Sequence, residues 1–256
     1  MIQRRDVILR EMGLAPLWRL RTSAGTETTG ADIPGLASGE TLKPDDSHTR
    51  SSVDASPVVA NVQTVPASRI AAMDWQELEE AIHACRACAL WEKRTQAVPG
   101  VGDRQARWMF VGEGPGAEED RRGEPFVGQA GRLLDHMLVA LGLKRCEDVY
   151  IANAVKCRPP QNRTPEVAEI AACAAFLDRQ VALVRPRLLI ALGRPAAQVL
   201  LGHEISISAA RGKRFERGGV PVIVTYHPAY LLRNPLDKGK AWEDLCFARR
   251  LVAEGA

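Results

Sequence analysis

Four short apolar runs recur along the C-terminal two thirds of the chain and read as buried strands. They are residues 107–113 (RWMFVGE), 148–155 (DVYIANAV), 187–193 (RLLIALG) and 220–228 (VPVIVTYHP). Between them the apolar period changes to that of a helix. Leu133, Leu134, Met137, Leu138 and Leu141 mark the inward face of a helix over residues 131–143. Residues 165–184 read as a second helix, with Pro165 in its first turn, where a missing N–H costs nothing. A short helix follows over 195–201 and a closing one over 240–252. Upstream, Asp74 and Glu77 form a capping-box pair for a helix whose face carries Leu78, Ala81 and Ile82. Strands alternating with helices predict a three-layer α/β/α domain around a short, mostly parallel central sheet. Such sheets bind ligands at the carboxyl ends of their strands. Three of those ends carry unusual residues: Gly112-Glu113-Gly114-Pro115-Gly116, Asn153, and Tyr226-His227-Pro228.

The pattern is different towards the N-terminus. Residues 1–20 show a weak helical spacing of Val7, Ile8, Leu9, Met12, Leu14 and Leu17. Residues 21–70 are rich in Ser, Thr, Ala, Gly, Pro and Asp and poor in aromatics, which predicts a disordered linker. The expected organisation is therefore a short helix (1–20), a linker (21–70) and one domain (71–256). No residue pattern in the first 70 names a protein partner. No apolar run has the length of a membrane span, and the first residues lack a signal-peptide pattern, so a cytoplasmic protein is expected.

Composition adds little until charge and cysteine are considered. Of 256 residues, 46% are hydrophobic and 25% charged, ordinary values for a chain with a real core. The net charge of +3 does not announce a nucleic-acid partner, so any such footprint must be local. The six cysteines point to metal or redox chemistry in a reducing compartment. Cys85 and Cys88 form a C-x2-C pair, and Cys157 and Cys173 a second pair with 15 residues between them. Four thiolates that can meet in space suit either zinc or a [4Fe–4S] cluster. Cys146 and Cys246 have no partner spacing and are assigned to packing.

The glycine-rich stretch 112–131 lets backbone approach a ligand closely. It is neither a Walker A loop nor a dinucleotide-binding fingerprint. Taken singly, its charges at 118–122 read equally well as a solvated run, Phe126 as a core aromatic, and Asn153 as a turn residue. As a set they resemble something specific. Gly112-Glu113-Gly114-Pro115-Gly116, Gly123-Glu124-Pro125-Phe126-Val127-Gly128 with Ala130-Gly131, and Asn153-Ala154-Val155-Lys156-Cys157-Arg158-Pro159-Pro160 stand in order. Asn162-Arg163-Thr164-Pro165 to Cys173 and His227-Pro228-Ala229-Tyr230-Leu231-Leu232-Arg233 complete the set. From about Met73 onward the chain resembles the family 4 uracil-DNA glycosylases, the iron–sulfur branch of the uracil-DNA glycosylase superfamily.

The resemblance implies an α/β/α fold and a [4Fe–4S] cluster held by Cys85, Cys88, Cys157 and Cys173. It implies an enzyme of base excision repair that flips uracil from DNA and hydrolyses its N-glycosidic bond. Asn153 would read uracil O4 and N3–H, Phe126 would stack on the ring, and Glu119 would stand near C5, where thymine carries a methyl. His227 would donate to uracil O2, and Glu113 and the Gly114 backbone would line the other side of the base and the water. The best-known pattern of the superfamily has a water-activating aspartate in the first motif, and Gly112–Gly116 contains none. A largely dissociative cleavage is therefore expected, with Glu113 as candidate base. Leu231, Leu232 and Arg233 are the expected DNA-contacting residues, one of the leucines doubling as the start of a core helix. Lys156, Arg158, Arg163, Arg211, Lys213, Arg214, Lys238 and Lys240 are candidates for phosphate contact. A monomer acting on uracil-containing DNA is expected. The competing class is a non-catalytic or covalent uracil-DNA binding iron–sulfur protein; one branch of the superfamily binds uracil DNA covalently through a histidine in an inserted basic loop, and no such insert stands between Lys156 and Pro165. A zinc-stabilised nucleotide hydrolase would need a phosphate loop that the sequence lacks.

Overall fold

A computed structural model of the chain describes residues 65–255. The sequence readings for residues 1–64, the short helix and most of the linker, lie outside the described residues. The three strands β2 (Trp108–Gly112), β3 (Val149–Asn153) and β4 (Leu188–Leu192) are buried along their whole length. Continuous apolar runs suit strands covered on both faces, as parallel strands joined through helices are. With β6 (Val220–Thr225) they form the parallel centre of a six-stranded sheet of order β1-β3-β2-β4-β6-β5. The two edges are antiparallel: β1 (Val101–Gly102) on β3 and β5 (Arg214–Arg217) on β6. β5 was not anticipated. It turns into β6 through Gly218 and Gly219, both at positive φ (55° and 83°), the backbone that a two-residue hairpin favours.

Alternate residues of each strand supply two cores. On one face Trp108, Phe110, Ile151, Ile190 and Ile223 pack against helices α4 (Gln129–Leu141) and α9 (Lys238–Ala253). On the other, Met109, Val111, Ala152, Leu189 and Val224 meet α5 (Val167–Val184) and α6 (Arg194–Leu201). The three layers are those that the alternation of elements predicts. A third cluster joins helices α1 (Ala67–Ile70) and α2 (Trp75–Ala84) to α5, and it contains Cys157 and Cys173.

Several boundaries differ from expectation. The N-terminal extension is folded from α1 onward, and Ile70 is buried, so residues 67–70 belong with the domain rather than with the linker. A few apolar residues sufficed there because α5 was already present to cover them. The Asp74–Glu77 capping box at the start of α2 forms as read. Pro165 stands before the N-cap of α5, Glu166, and not in the first turn. The strand expected over 220–228 stops at Thr225, because Pro228 opens helix α8 (Pro228–Arg233) with His227 as its N-cap. The charge run at 118–122 lies in helix α3 (Ala117–Arg122), which turns Asp120 inward while Glu118 and Arg121 pair at the surface. The turn of helix α7 (Ile207–Ala210) precedes β5. Among the described residues no helix is long and apolar enough to cross a membrane.

Candidate active site

The carboxyl ends of β2, β3, β4 and β6 open into one cleft of about 940 Å³. Glu113, Gly114, Glu119, Phe126, Asn153 and His227 all line it, although they come from three separate stretches of sequence. Register explains the first meeting: Gly112 of β2 is the partner of Asn153 on β3. A Cβ on Gly112 would lie 2.4 Å from Asn153 Oδ1 and 2.6 Å from Phe126 Cζ. The glycine thus brings the amide and the ring together across one strand. Asn153 is 2% exposed, and its Oδ1 is the one buried side-chain oxygen or nitrogen without a hydrogen-bond partner among the described residues. A buried unpaired carbonyl of this kind costs about 1–3 kcal/mol. A ligand donor arriving in the cleft would relieve that cost.

Phe126 is held in an unusual backbone state, φ 56°, which a bulky residue adopts only when its surroundings impose it. Three contacts do so. Arg145 donates to the carbonyls of Pro125 (2.9 Å) and Phe126 (2.8 Å) and is itself anchored on Asp135 (3.0 Å). Gly131 packs so closely that an added Cβ would lie 1.7 Å from the Phe126 oxygen. Glu119 accepts from the amides of Val127 (2.9 Å) and Gly128 (3.0 Å) with one oxygen and of Gly116 (3.1 Å) with the other. Its carboxylate therefore shapes the loop that frames the cleft.

His227 lies 5.4 Å from Phe126, ring centre to ring centre. Its Nδ1 accepts from the Ala229 amide at 3.1 Å, which leaves the proton of the neutral ring on Nε2. Part of the residue opens to the cleft, but the ring is packed deeply enough that burial pushes its pKa down to about 4. The Arg233 charge adds to that effect and Glu119 opposes it. The ring is thus a neutral donor at ordinary pH. Burial raises the pKa of Glu113 across the cleft, against the pull of Thr164 and Arg194. A carboxyl tuned upward is a stronger base than a free one.

Below the cleft, Cys85 and Cys88 are half-buried and Cys157 and Cys173 buried, all four in or against one apolar cluster. Burial raises the thiol pKa values of Cys88 and Cys157 and pushes Cys173 up to about 12. Donors surround the sulfurs. Arg94 reaches Cys157 Sγ at 2.9 Å, the Lys156 amide Cys173 Sγ at 3.3 Å, and the Ala87 amide Cys85 Sγ at 3.5 Å. Donors of this type favour thiolates over thiols. Four thiols so surrounded have the chemistry of a four-thiolate ligand set, which zinc and a [4Fe–4S] cluster both accept.

The expected DNA contacts divide. Leu231 is fully buried in the core under α4, so it is the core leucine and cannot wedge between bases. Leu232 is 40% exposed, and Arg233 lines the cleft. Lys156 is buried at 1% exposure and bonded internally, and Lys238 is buried too, so neither contacts phosphate. Arg211 is bound to Asp244 (2.7 Å) and lies over the Tyr226 ring, a structural post. Arg163 is paired with Glu169 yet lines the cleft, Arg158 is bonded to Asn162, and Lys240 is paired with Asp237. Lys213 and Arg214 are exposed. Sequence reading missed Arg145, Arg194 and Gln180, and quoted Thr164 in a motif without giving it a role. Of the missed three, Gln180 had a legible signal: it is a polar residue on the inward face of α5, one turn after Phe176 and Leu177.

Residues 99–246 match the Uracil DNA glycosylase superfamily. The chain is 49% identical over 159 residues to a type-4 uracil-DNA glycosylase of Thermotoga maritima, covering 61% of this chain and 82% of that one. It is 45% identical over 181 residues to a type-4 uracil-DNA glycosylase of Pyrobaculum aerophilum, covering 68% and 92%. To a type-5 uracil-DNA glycosylase of Thermus thermophilus it is 36% identical over 163 residues, covering 51% and 74%. The match takes in all four strand ends of the cleft and the Cys157–Cys173 pair, and with it the chain belongs to the uracil-DNA glycosylase superfamily, on the type-4 branch.

Proposed function

We propose that the chain excises uracil from DNA, hydrolysing the N-glycosidic bond and leaving an abasic site for base excision repair. The observation that carries this reading is Asn153 Oδ1, a buried acceptor without a partner at the mouth of β3, beside Phe126. Uracil N3–H would complete it while the amide N–H donates to O4. Cytosine presents the reverse pattern and would leave both groups unpaired, at about 1–3 kcal/mol each. Phe126 would stack on the flipped ring. The Glu119-shaped loop would close on C5 and crowd a thymine methyl.

Bond breaking leaves negative charge on the base and positive charge on the sugar. His227 would donate from Nε2 to O2, and because the ring is already neutral and oriented, no reorganisation is needed as charge develops. Glu113, with its raised pKa, is the candidate to orient the water and take its proton. Leu232 and Arg233, rather than Leu231, would contact DNA at the rim, joined by Arg163 and Arg158. Cys85, Cys88, Cys157 and Cys173 would hold a [4Fe–4S] cluster. When bound, that group supplies a rigid clamp between the end of α2, the segment after β3 and helix α5.

A single-uracil oligonucleotide incubated with the protein and then treated with alkali should break at the uracil position. An oligonucleotide that stays intact but is retained as a shifted complex would replace the enzyme with a uracil-DNA binding protein.

A further inference from the structure

Between the thiol set and the base-reading asparagine lies a buried ammonium without a carboxylate. Lys156 is 1% exposed and takes part in no ion pair among the described residues. Its Nζ donates to the Asn153 carbonyl at 2.7 Å and to Gln180 Oε1 at 2.6 Å. Gln180, fully buried, in turn donates to the Pro99 carbonyl at 2.8 Å and to the Tyr150 hydroxyl at 3.3 Å. The backbone of the same lysine points the other way. Its amide donates to Cys173 Sγ at 3.3 Å, and its carbonyl accepts from the Val98 amide at 2.8 Å.

Two consequences follow from this placement. A full charge in a dry interior is costly unless an opposite charge stands close by. The Cys173 thiol, which accepts from the Lys156 amide at 3.3 Å, and the thiol of the next residue, Cys157, both become anions on binding a metal group. The same ammonium fixes the peptide of Asn153, and a shift there moves the amide that reads the base. We propose that Lys156 is a positioning residue joining the two sites: it gives the ligating thiolates their counter-charge and holds Asn153 in register with the base. The inference rests on the proposed uracil site and on the proposed cluster.

The test compares the iron–sulfur holoenzyme with its Lys156→Met and Gln180→Met variants. Reduction potentials are read by mediated titration of the visible absorption, and free uracil serves as competitive inhibitor of excision. Lys156→Met should shift the potential to more negative values, since a cation that favoured the reduced, more anionic state has gone. It should also lower kcat/KM on uracil DNA about a hundredfold, the usual cost of a misplaced reading group, and weaken inhibition by uracil. Gln180→Met keeps the charge but frees Nζ, so it should weaken uracil inhibition and leave the potential at the wild-type value. Wild-type potential and uracil inhibition in Lys156→Met would overturn the inference. If that variant does not accumulate folded, unchanged uracil inhibition in Gln180→Met does the same. A wild-type protein that fails to excise uracil sinks the parent reading and this one with it, whereas an active wild type with unaltered variants sinks this one alone.

Discussion

His227 has a fixed tautomer because the Ala229 amide occupies Nδ1, and a low pKa because burial disfavours the charged ring. The unfolded chain takes a proton on this residue as pH falls through about 6.5, while the folded ring resists until about 4. Stability tied to this group is thus complete above about 6.5 and is lost as pH falls through the window down to about 4. Nitrogen chemical shifts of the imidazole should show Nε2 protonated and Nδ1 bare from pH 8 to pH 5, with a midpoint near 4. A midpoint near 6.5 would mean that the ring is not held as described. Replacing His227 with Ala should lower kcat by about 10²–10³, the loss typical of one preorganised donor, with uracil-DNA binding reduced far less.

At the scale of elements, two glycines at the start and end of the Phe126 loop make opposite predictions. Gly131→Ala would set a methyl 1.7 Å from the Phe126 oxygen and 2.1 Å from its carbonyl carbon, and backbone cannot swing aside as a side chain can. Urea unfolding should report a loss of about 1–3 kcal/mol or more. Gly112→Ala meets the side chains of Asn153 and Phe126 instead. These can rotate away, so the fold should survive within about 1 kcal/mol while excision falls below a hundredth of wild type, because the two displaced groups are those proposed to read the base. Comparable instability in the two variants would argue against this picture of the loop. The glycine-rich motif was legible as a close-approach loop, but which glycine approached what depended on the register of β2 on β3.

For the molecule as a whole, the packing of α8 decides between two adjacent leucines. Leu231→Ala should cost about 2–5 kcal/mol in unfolding experiments, since the side chain is fully buried against the core under α4. Leu232→Ala should stay within about 0.5 kcal/mol and instead weaken affinity for uracil DNA. Sequence spacing could not separate them, because both lie in one short helix and its rotation is set by His227 capping it and Tyr230 tying it to Asp237. The same holds for the basic residues. Lys156, Lys238 and Arg211 share a charge with Arg158 and Arg233, and only the fold turns the first three inward.

The sequence by itself determined the alternation of elements, the parallel centre of the sheet, the strand ends that carry chemistry, and four cysteines able to meet. These follow from local period, capping residues and motif order, which act over a few residues and survive without tertiary context. Tertiary structure alone decided that Asn153 Oδ1 faces the cleft unpaired, that His227 is a neutral Nε2 donor, and that Glu119 serves the loop. It likewise placed Lys156 between the thiols and the pocket. Each of those outcomes depends on burial and on partners from segments far away in sequence, and desolvation and hydrogen bonding take their values only once the chain has closed around them.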